Sequence, residues 1–419
     1  MRKSQLIKKH NNQIYFKIFI ALLWAESILL NYVRGVMVNL PLISGVADYV
    51  IPCVIFVSFM MAAKTITGRL RGSDFVFIMS CIVVFVFEYW VYAKNRAYFR
   101  MLYMEFITGC LPFYFVGVAL RGDDKDILDW LYRISAVTIV TFSIYMLFVN
   151  SMEGLTLSGG DMASAYNILP HSCLTFYYVM KKFKWHRLVL FVVSAIAILM
   201  MGSRGPVLCL GVFVITVSIL TIRLNKPYVL LGIIVLSAVF VLIPDLLDRL
   251  MDSGYALGER YGLSTRIFDK ITSGNFTVSS GRNVIRQKIR YHLRQVPVVG
   301  LGIYGDRYVT EGYYAHNFFL EVYAHFGYLL GTIICISFTF FVMRGIAYAF
   351  KAKDENAQGI ALVLLCCCIK LMVSSSYLRD LFLWLLIGYI AGLLRENGTT
   401  HVLGMKRRSQ VRKKSKFVK

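Results

Sequence analysis

Apolar runs close to membrane length follow one another along most of the chain, separated by short polar links. They lie at roughly 15–33, 43–62, 75–92, 101–119, 133–150, 163–180, 187–202, 206–222, 228–243, 317–342, 360–375 and 379–394. A helix crosses a bilayer core with about 20 apolar residues, so this pattern predicts an all-α polytopic integral membrane protein with about twelve transmembrane helices. Residues 1–419 read as a single membrane domain. One long polar interval, 244–316, interrupts the pattern and reads as a large extracytoplasmic loop within that domain. It opens on Pro244-Asp245-Leu246-Leu247-Asp248-Arg249-Leu250, a short amphipathic helix. Ser279 and Ser280 can then cap a helix starting near Gly281. That helix carries Arg282, Arg286, Arg290 and Arg294, four apart and hence on one slowly drifting face. Pro297 ends it, and Gly300, Gly302 and Gly305 predict a flexible turn. Ala315-His316-Asn317 leads into the next apolar run.

Composition agrees with a membrane class. The chain is 58% hydrophobic and only 16% charged, and its mean hydropathy is +0.62; soluble domains carry about 25% charged residues. The net charge of +23 does not point to nucleic acid, because the basic residues sit in short links and in the tail. Their distribution gives an orientation. With the N-terminus cytoplasmic, the short outside links hold only Arg34, Lys94, Arg96, Arg100, Arg204 and Arg379, while most of the 46 Lys and Arg fall inside or in the large loop. Both termini are then cytoplasmic, and the KRRSQVRKKSKFVK tail lies near anionic lipid. The basic start lacks a small-residue cleavage site and reads as the lead-in to an uncleaved first helix. All nine cysteines sit in apolar segments without a CxxC pair, which predicts packing residues and not disulfides or metal ligands.

Three positions carry candidate chemistry. Arg204 stands in the tight link Met201-Gly202-Ser203-Arg204-Gly205-Pro206, where glycines allow a close approach to the backbone. Its fork geometry suits phosphate; the plainer alternative is an arginine snorkelling to lipid headgroups. Arg282 stands at a helix start, where backbone N–H groups also favour anions. His316, at the water–membrane boundary, is a candidate general base, although a histidine at a helix start is more often a cap or a buried hydrogen-bonded group. His325, nine residues on, falls on the opposite side of a helix, so the two are not paired as metal ligands. No His, Cys or carboxylate set at ligand spacing surrounds His316, and neither a metal nor a cofactor is expected. Glu26, Glu88, Glu105, His171, Glu321, His325 and Lys370 are intramembrane polar residues, flagged for function or for helix pairing. Asp123-Asp124 looks like a metal–nucleotide motif but falls on the cytoplasmic side.

The order of these features resembles the O-antigen ligase and polymerase superfamily of bacterial envelope glycosyltransferases. The Ser-Arg-Gly link comes first, then Gly281-Arg282, then Pro297 and Gly300-Leu301-Gly302, then His316-Asn317, with Gly327 and Gly331 following. The tryptophan that often follows the family's loop arginine is replaced by Asn283-Val284-Ile285-Arg286. The resemblance implies a metal-independent inverting glycosyltransferase of the bacterial cytoplasmic membrane, using a glycan on a polyprenyl diphosphate as donor and a second lipid-linked glycan as acceptor. It assigns the diphosphate to Arg204 and Arg282 and the catalytic base to His316; Arg286, Arg307 and Asn317 are read beside these as candidate substrate contacts. Flippase and chain-length regulator proteins are the implied partners, with the lipid bilayer and without nucleic acid. A polymerase of repeat units for capsule, exopolysaccharide or O-antigen is the reading adopted. A ligase acting on a lipid A core is its close rival, and a lipid-linked glycan flippase the rival from another class.

Overall fold

The computed structural model describes residues 12–26, 28, 47–120, 126–151, 162–201, 203–222, 253, 256, 260, 281–351 and 354–395. Among these, every regular element is a helix and no strand occurs. The apolar runs meet helices at their places in the chain: α1 (12–26), α2 (Ala47–Thr67), α3 (Gly72–Val91), α4 (Arg96–Met104), α5 (Leu111–Ala119), α6 (Ile127–Ser151), α7 (Met162–Lys181), α8 (Trp185–Met200) and α9 (Arg204–Ile222). The run at 228–243 and the loop segment 244–280, with Ser279 and Ser280, lie outside the described residues apart from Ser253, Ala256 and Arg260, as do the basic tail and Asp123-Asp124. The remaining helices are α10 (Arg282–Gln295), α11 (Gly305–Val309), α12 (Phe318–Lys351), α13 (Glu355–Ile369) and α14 (Leu381–Arg395). Among the described residues, five spans are long and apolar enough to cross a membrane: Gly72–Val91, Ala93–Ala119, Ile127–Met146, Phe318–Lys351 and Glu355–Met372. A helix is the form a chain takes in lipid because its backbone polar groups are satisfied within the segment.

The chain divides into two compact units. The first comprises Met1–Thr65, Asp126–Gly281 and Cys366–Ser374. Its centre is α7, packed against α6, α8 and α9 and buried along most of its length. One set of polar side chains inside it links three helices. Trp24 Nε1 donates to Ser135 Oγ at 3.0 Å, and Ser135 Oγ lies 3.0 Å from His171 Nδ1. The intramembrane His171 therefore joins three helices. All nine cysteines are free.

The second unit comprises Ile66–Lys125, Arg282–Leu365 and Ser375–Lys419. It holds α10, whose Ile285, Ile289 and Leu293 form an apolar row at four-residue spacing; Ile289 and Leu293 are fully buried. Ile285 and Ile289 pack with Ala315, Leu320 and Ala324 at the start of α12. The arginine row is offset by one residue from this apolar row, about 100° around the helix, and so runs along the rim of the packed face.

Candidate functional site

The turn between α10 and α11 decides the geometry, and it corrects one expectation. The glycine-rich segment is not flexible but locked. Gly327 breaks α12 with φ 72° and ψ 178°, and the break frees backbone groups that the turn uses. Leu301 N–H donates to Ala324 O at 2.6 Å, Gly302 N–H to His325 O at 3.1 Å, and Tyr328 N–H to Pro297 O at 2.7 Å. Gly300 and Gly327 meet backbone to backbone: a Cβ on Gly300 would lie 2.4 Å from Gly327 N, and one on Gly327 would lie 2.1 Å from Val298 O. Both have positive φ, so glycine is required at each for conformation and for space. The end of α3 clamps the other side. Ile303 N–H donates to Glu88 Oε2 at 3.0 Å, and Asn95 Nδ2 donates to Leu301 O (2.9 Å) and Ile303 O (3.0 Å). Glu88, flagged as an intramembrane charge, is thereby assigned to holding this turn.

The turn delivers Asp306 and Arg307 into a buried polar cluster with Glu321 and His325 of α12 and Ser376 and Tyr377 of the link before α14. All but Tyr377 are classed as buried residues, and the His325 ring lies fully inside. Asp306 Oδ1 lies 2.9 Å from His325 Nε2 and 3.2 Å from Arg307 Nη1. His325 Nδ1 lies 2.7 Å from Tyr377 Oη. Glu321 Oε1 lies 3.5 Å from Arg307 Nη1 and accepts a short hydrogen bond from Ser376 Oγ; its Oε2 accepts from Tyr377 N–H at 3.2 Å. Arg307 Nη2 donates to Ser376 Oγ at 3.1 Å, and its guanidinium stacks 4.8 Å over the Tyr304 ring. Burial alone would raise the Asp306 carboxyl, but the Arg307 and His325 charges outweigh it and hold it below the usual carboxylate range.

Asp306, Glu321 and His325 also present ligand atoms within 4.8 Å of one another. The expectation that no such set lies near His316 is corrected here: the set spans a turn and a helix, which local spacing does not reveal. Its donor atoms, however, are already committed. The Arg307 guanidinium bonds to Asp306 and reaches Glu321, Glu321 also accepts from Ser376 Oγ and Tyr377 N–H, and both His325 ring nitrogens have partners.

His316 sits on this cluster's edge. Asp306 Oδ2 accepts from Ala315 N–H at 3.1 Å, and Arg286 Nη2 donates to His316 O at 3.3 Å. Asp306 thus holds the main chain at Ala315 and Arg286 holds the carbonyl of His316, which has φ 53° in the left-handed region. A non-glycine residue there costs about 1–3 kcal/mol and persists where its surroundings impose it. Tyr304, Glu311 and Ser375, in the same unit, also have positive φ. The Tyr314 ring lies 4.0 Å from the His316 ring, centroid to centroid. His316 Nδ1 and Arg286 Nε are buried without a hydrogen-bond partner. Burial, then the charges of Arg282 and Arg286, push the His316 imidazole down to about 4; Arg307 adds to this and Asp306 opposes it.

The other positions resolve as follows. Asn317 caps α12, its Oδ1 accepting from Leu320 N–H at 3.0 Å; the cap is therefore Asn317 and not His316. Glu311 is exposed and paired with Lys288 at 2.7 Å. Arg307 is consumed by the buried cluster. Arg282 is the first residue of α10, behind Gly281 at φ 76°. Arg204 belongs to the first unit, where it opens α9. The neighbouring Gly205 gives room to Tyr166, whose hydroxyl would lie 2.0 Å from an added Cβ. The second unit thus brings together His316, Arg282, Arg286, Arg307 and Asn317. Sequence reasoning missed Asp306 as a binding hub and Ser376 and Tyr377 altogether. A signal existed for Glu321 and His325, since buried charge inside an apolar helix calls for a partner.

Residues 189–336 match the O-antigen ligase family. The matched stretch runs from α8 into α12 and contains Arg204, Arg282, Arg286, Asp306, Arg307, His316, Glu321 and His325. No curated protein matches the chain. The match supports the O-antigen ligase and polymerase superfamily, and with it a ligase- or polymerase-type activity on a membrane protein.

Proposed function

We propose that the protein is a polysaccharide polymerase of the bacterial cytoplasmic membrane, joining oligosaccharide repeat units carried on polyprenyl diphosphate at the outer face. The observation that carries the reading is His316: a histidine in a left-handed backbone conformation, its carbonyl bonded by Arg286 and the preceding Ala315 N–H bonded to Asp306, with a buried ring nitrogen unpaired. Such an imidazole is neutral at physiological pH and can accept a proton. In the proposed step an acceptor hydroxyl attacks the anomeric carbon of the donor glycan. The bond from that carbon to the diphosphate oxygen breaks, and the electron pair leaves with the polyprenyl diphosphate. The hydroxyl proton passes to His316, which later releases it to water. One displacement inverts the anomeric centre.

Negative charge grows on the leaving diphosphate, so cations fixed before the reaction stabilise the transition state more than the ground state. Arg282 and Arg286, whose charges reach His316, are suited to this, and resemblance to the family assigns Arg204 and Arg282 to the diphosphate. The reaction as proposed requires no metal, because arginines supply the positive charge. In the Asp306–Glu321–His325 set both carboxylates are paired with the Arg307 guanidinium and His325 is bonded to Asp306, which favours a structural role for it.

Purified protein given a synthetic lipid-linked oligosaccharide, with products sized on a gel, tests the reading. A ladder of repeat units, unchanged by EDTA, is the expected result. The description of the matched family as an O-antigen ligase favours a second reading, transfer of a finished glycan to a different acceptor. A single shifted band, formed only when such an acceptor is added, would select it.

A further inference from the structure

The row of arginines on α10 does not act as one surface. Successive members are four residues apart, so each is turned about 40° from the last and displaced about 6 Å along the axis. From Arg282 to Arg294 this amounts to about 120° and about 18 Å. The first half of the row is engaged with the His316 loop through Arg286. The second half lines a cavity of about 240 Å³ between α10 and the start of α12, with Asn317, Tyr323 and Tyr328 among its other walls. Arg290 and Arg294 are exposed residues and make no ion pair or side-chain hydrogen bond with any described residue. By contrast Lys288, on the same helix, is paired with Glu311.

The surroundings of this cavity specify its ligand further. Two unpaired guanidinium groups suit a phosphate or diphosphate. Tyr323 and Tyr328 are amphipathic walls, apolar on the ring face and polar at the hydroxyl, which suits a sugar ring. Below Tyr328, α12 carries Leu329, Ile333, Ile336, Phe340 and Met343 at alternating spacings of four and three, a single helix face, and all are more than half exposed. A basic, aromatic-walled pocket therefore stands at the head of an apolar stripe on a helix long enough to span a membrane. Asn317 is the neighbour of His316 in sequence, which puts the pocket next to the proposed base.

We propose that this cavity binds the phosphate end of a second polyprenyl-linked glycan, the acceptor, with its first sugar against Tyr323 and Tyr328 and its tail along the α12 stripe. The proposal rests on the polymerase reading. It divides α10 between two anions: the departing diphosphate at Arg282 and Arg286, and the acceptor's retained diphosphate at Arg290 and Arg294. The acceptor glycan would then extend from the pocket toward His316, so that its free hydroxyl, and not its diphosphate, meets the base.

Native mass spectrometry of the full-length protein, titrated with undecaprenyl diphosphate, tests it. Wild type should bind two molecules. R290A/R294A should bind one tightly, with the second weakened at least about tenfold, since both guanidinium groups that would hold its diphosphate are gone. R290K/R294K should weaken the second molecule less, and retention of the first shows that each variant is folded. A single bound molecule in wild type, or two tight ones in R290A/R294A, would overturn the proposal. Displacement of the second molecule by an equal amount of phosphatidylglycerol would also overturn it, marking an ordinary headgroup contact. Polymer formation in the same preparation separates the two claims: two bound carriers without polymer defeats the functional reading, whereas polymer with one bound carrier defeats this site alone.

Discussion

His316 and His325 lie nine residues apart, and the same carboxylate, Asp306, serves both. Their surroundings are opposite. His325 is fully buried, with Nε2 against Asp306 and Nδ1 against Tyr377. Both of its nitrogens are spent on holding the turn, α12 and the link before α14 together. The hydrogen bonds around His316 go to the main chain, Asp306 accepting from Ala315 N–H and Arg286 donating to His316 O; its ring lies against Tyr314, and its Nδ1 is left unpaired. A ring whose two nitrogens are committed can position its neighbours but has no lone pair to offer a substrate. A ring held by its main chain keeps its nitrogens for chemistry. The contrast separates structure from catalysis within one short segment.

The largest effect expected from this contrast is the loss on His316→Ala. Polymer formation should fall by about 100- to 10,000-fold, the usual range for a missing general base, while binding of the lipid-linked donor persists. Gel sizing and a donor-binding assay on the same preparation check both halves. Next comes Arg204, which lies in the other unit. If it grips diphosphate with both arms of its fork, Arg204→Lys should lose about 10- to 1000-fold in rate at normal expression; near-full activity would mark it as a headgroup anchor instead.

His325→Ala should behave differently from His316→Ala. It leaves Asp306 and Tyr377 with unmet hydrogen bonds inside the protein, at a cost of about 1–3 kcal/mol. Thermal unfolding in detergent should therefore shift downward for His325→Ala and stay near wild type for His316→Ala. Equal shifts for the two would erase the distinction.

The smallest effect is on pH. With the His316 imidazole pushed down to about 4 by burial and by Arg282 and Arg286, activity should fall only as pH drops through about 4, where the base becomes protonated. The charged groups acting on it are Arg282, Arg286, Arg307 and, with opposite sign, Asp306. Arg286→Ala removes one positive charge, so the acid limb should move to higher pH, toward the ordinary value near 6.5. A wild-type limb at 6.5 would show that the arginines do not act on the base.

Much of the frame was legible because lipid imposes a simple rule on sequence. The apolar runs among the described residues are helices, and the arginine row falls on one helix, α10. His316 was also visible, as a polar residue at the edge of an apolar run. The buried support beneath it was not. Ser376 and Tyr377 complete the cluster from more than 50 residues beyond Glu321 and His325, and nothing in their spacing signals that return. Gly300 and Gly302 read as flexible because glycine permits many conformations; only their contact with Gly327 and α12 shows that the fold uses one. Asn317 was singled out for substrate, and its capping bond to Leu320 depends on where α12 begins, which sequence places only to within a few residues.

The most direct test of the central claim is His316→Asn in the polymerisation assay, alongside wild type and at matched donor binding. Asparagine tolerates the left-handed backbone and can bond locally, and Asn317 already supplies the cap of α12. The substitution therefore keeps the left-handed backbone and the cap of α12, and removes the imidazole with its basic nitrogen and its contact with Tyr314. The account predicts no ladder of repeat units from His316→Asn with the donor still bound. A ladder close to wild type would contradict it.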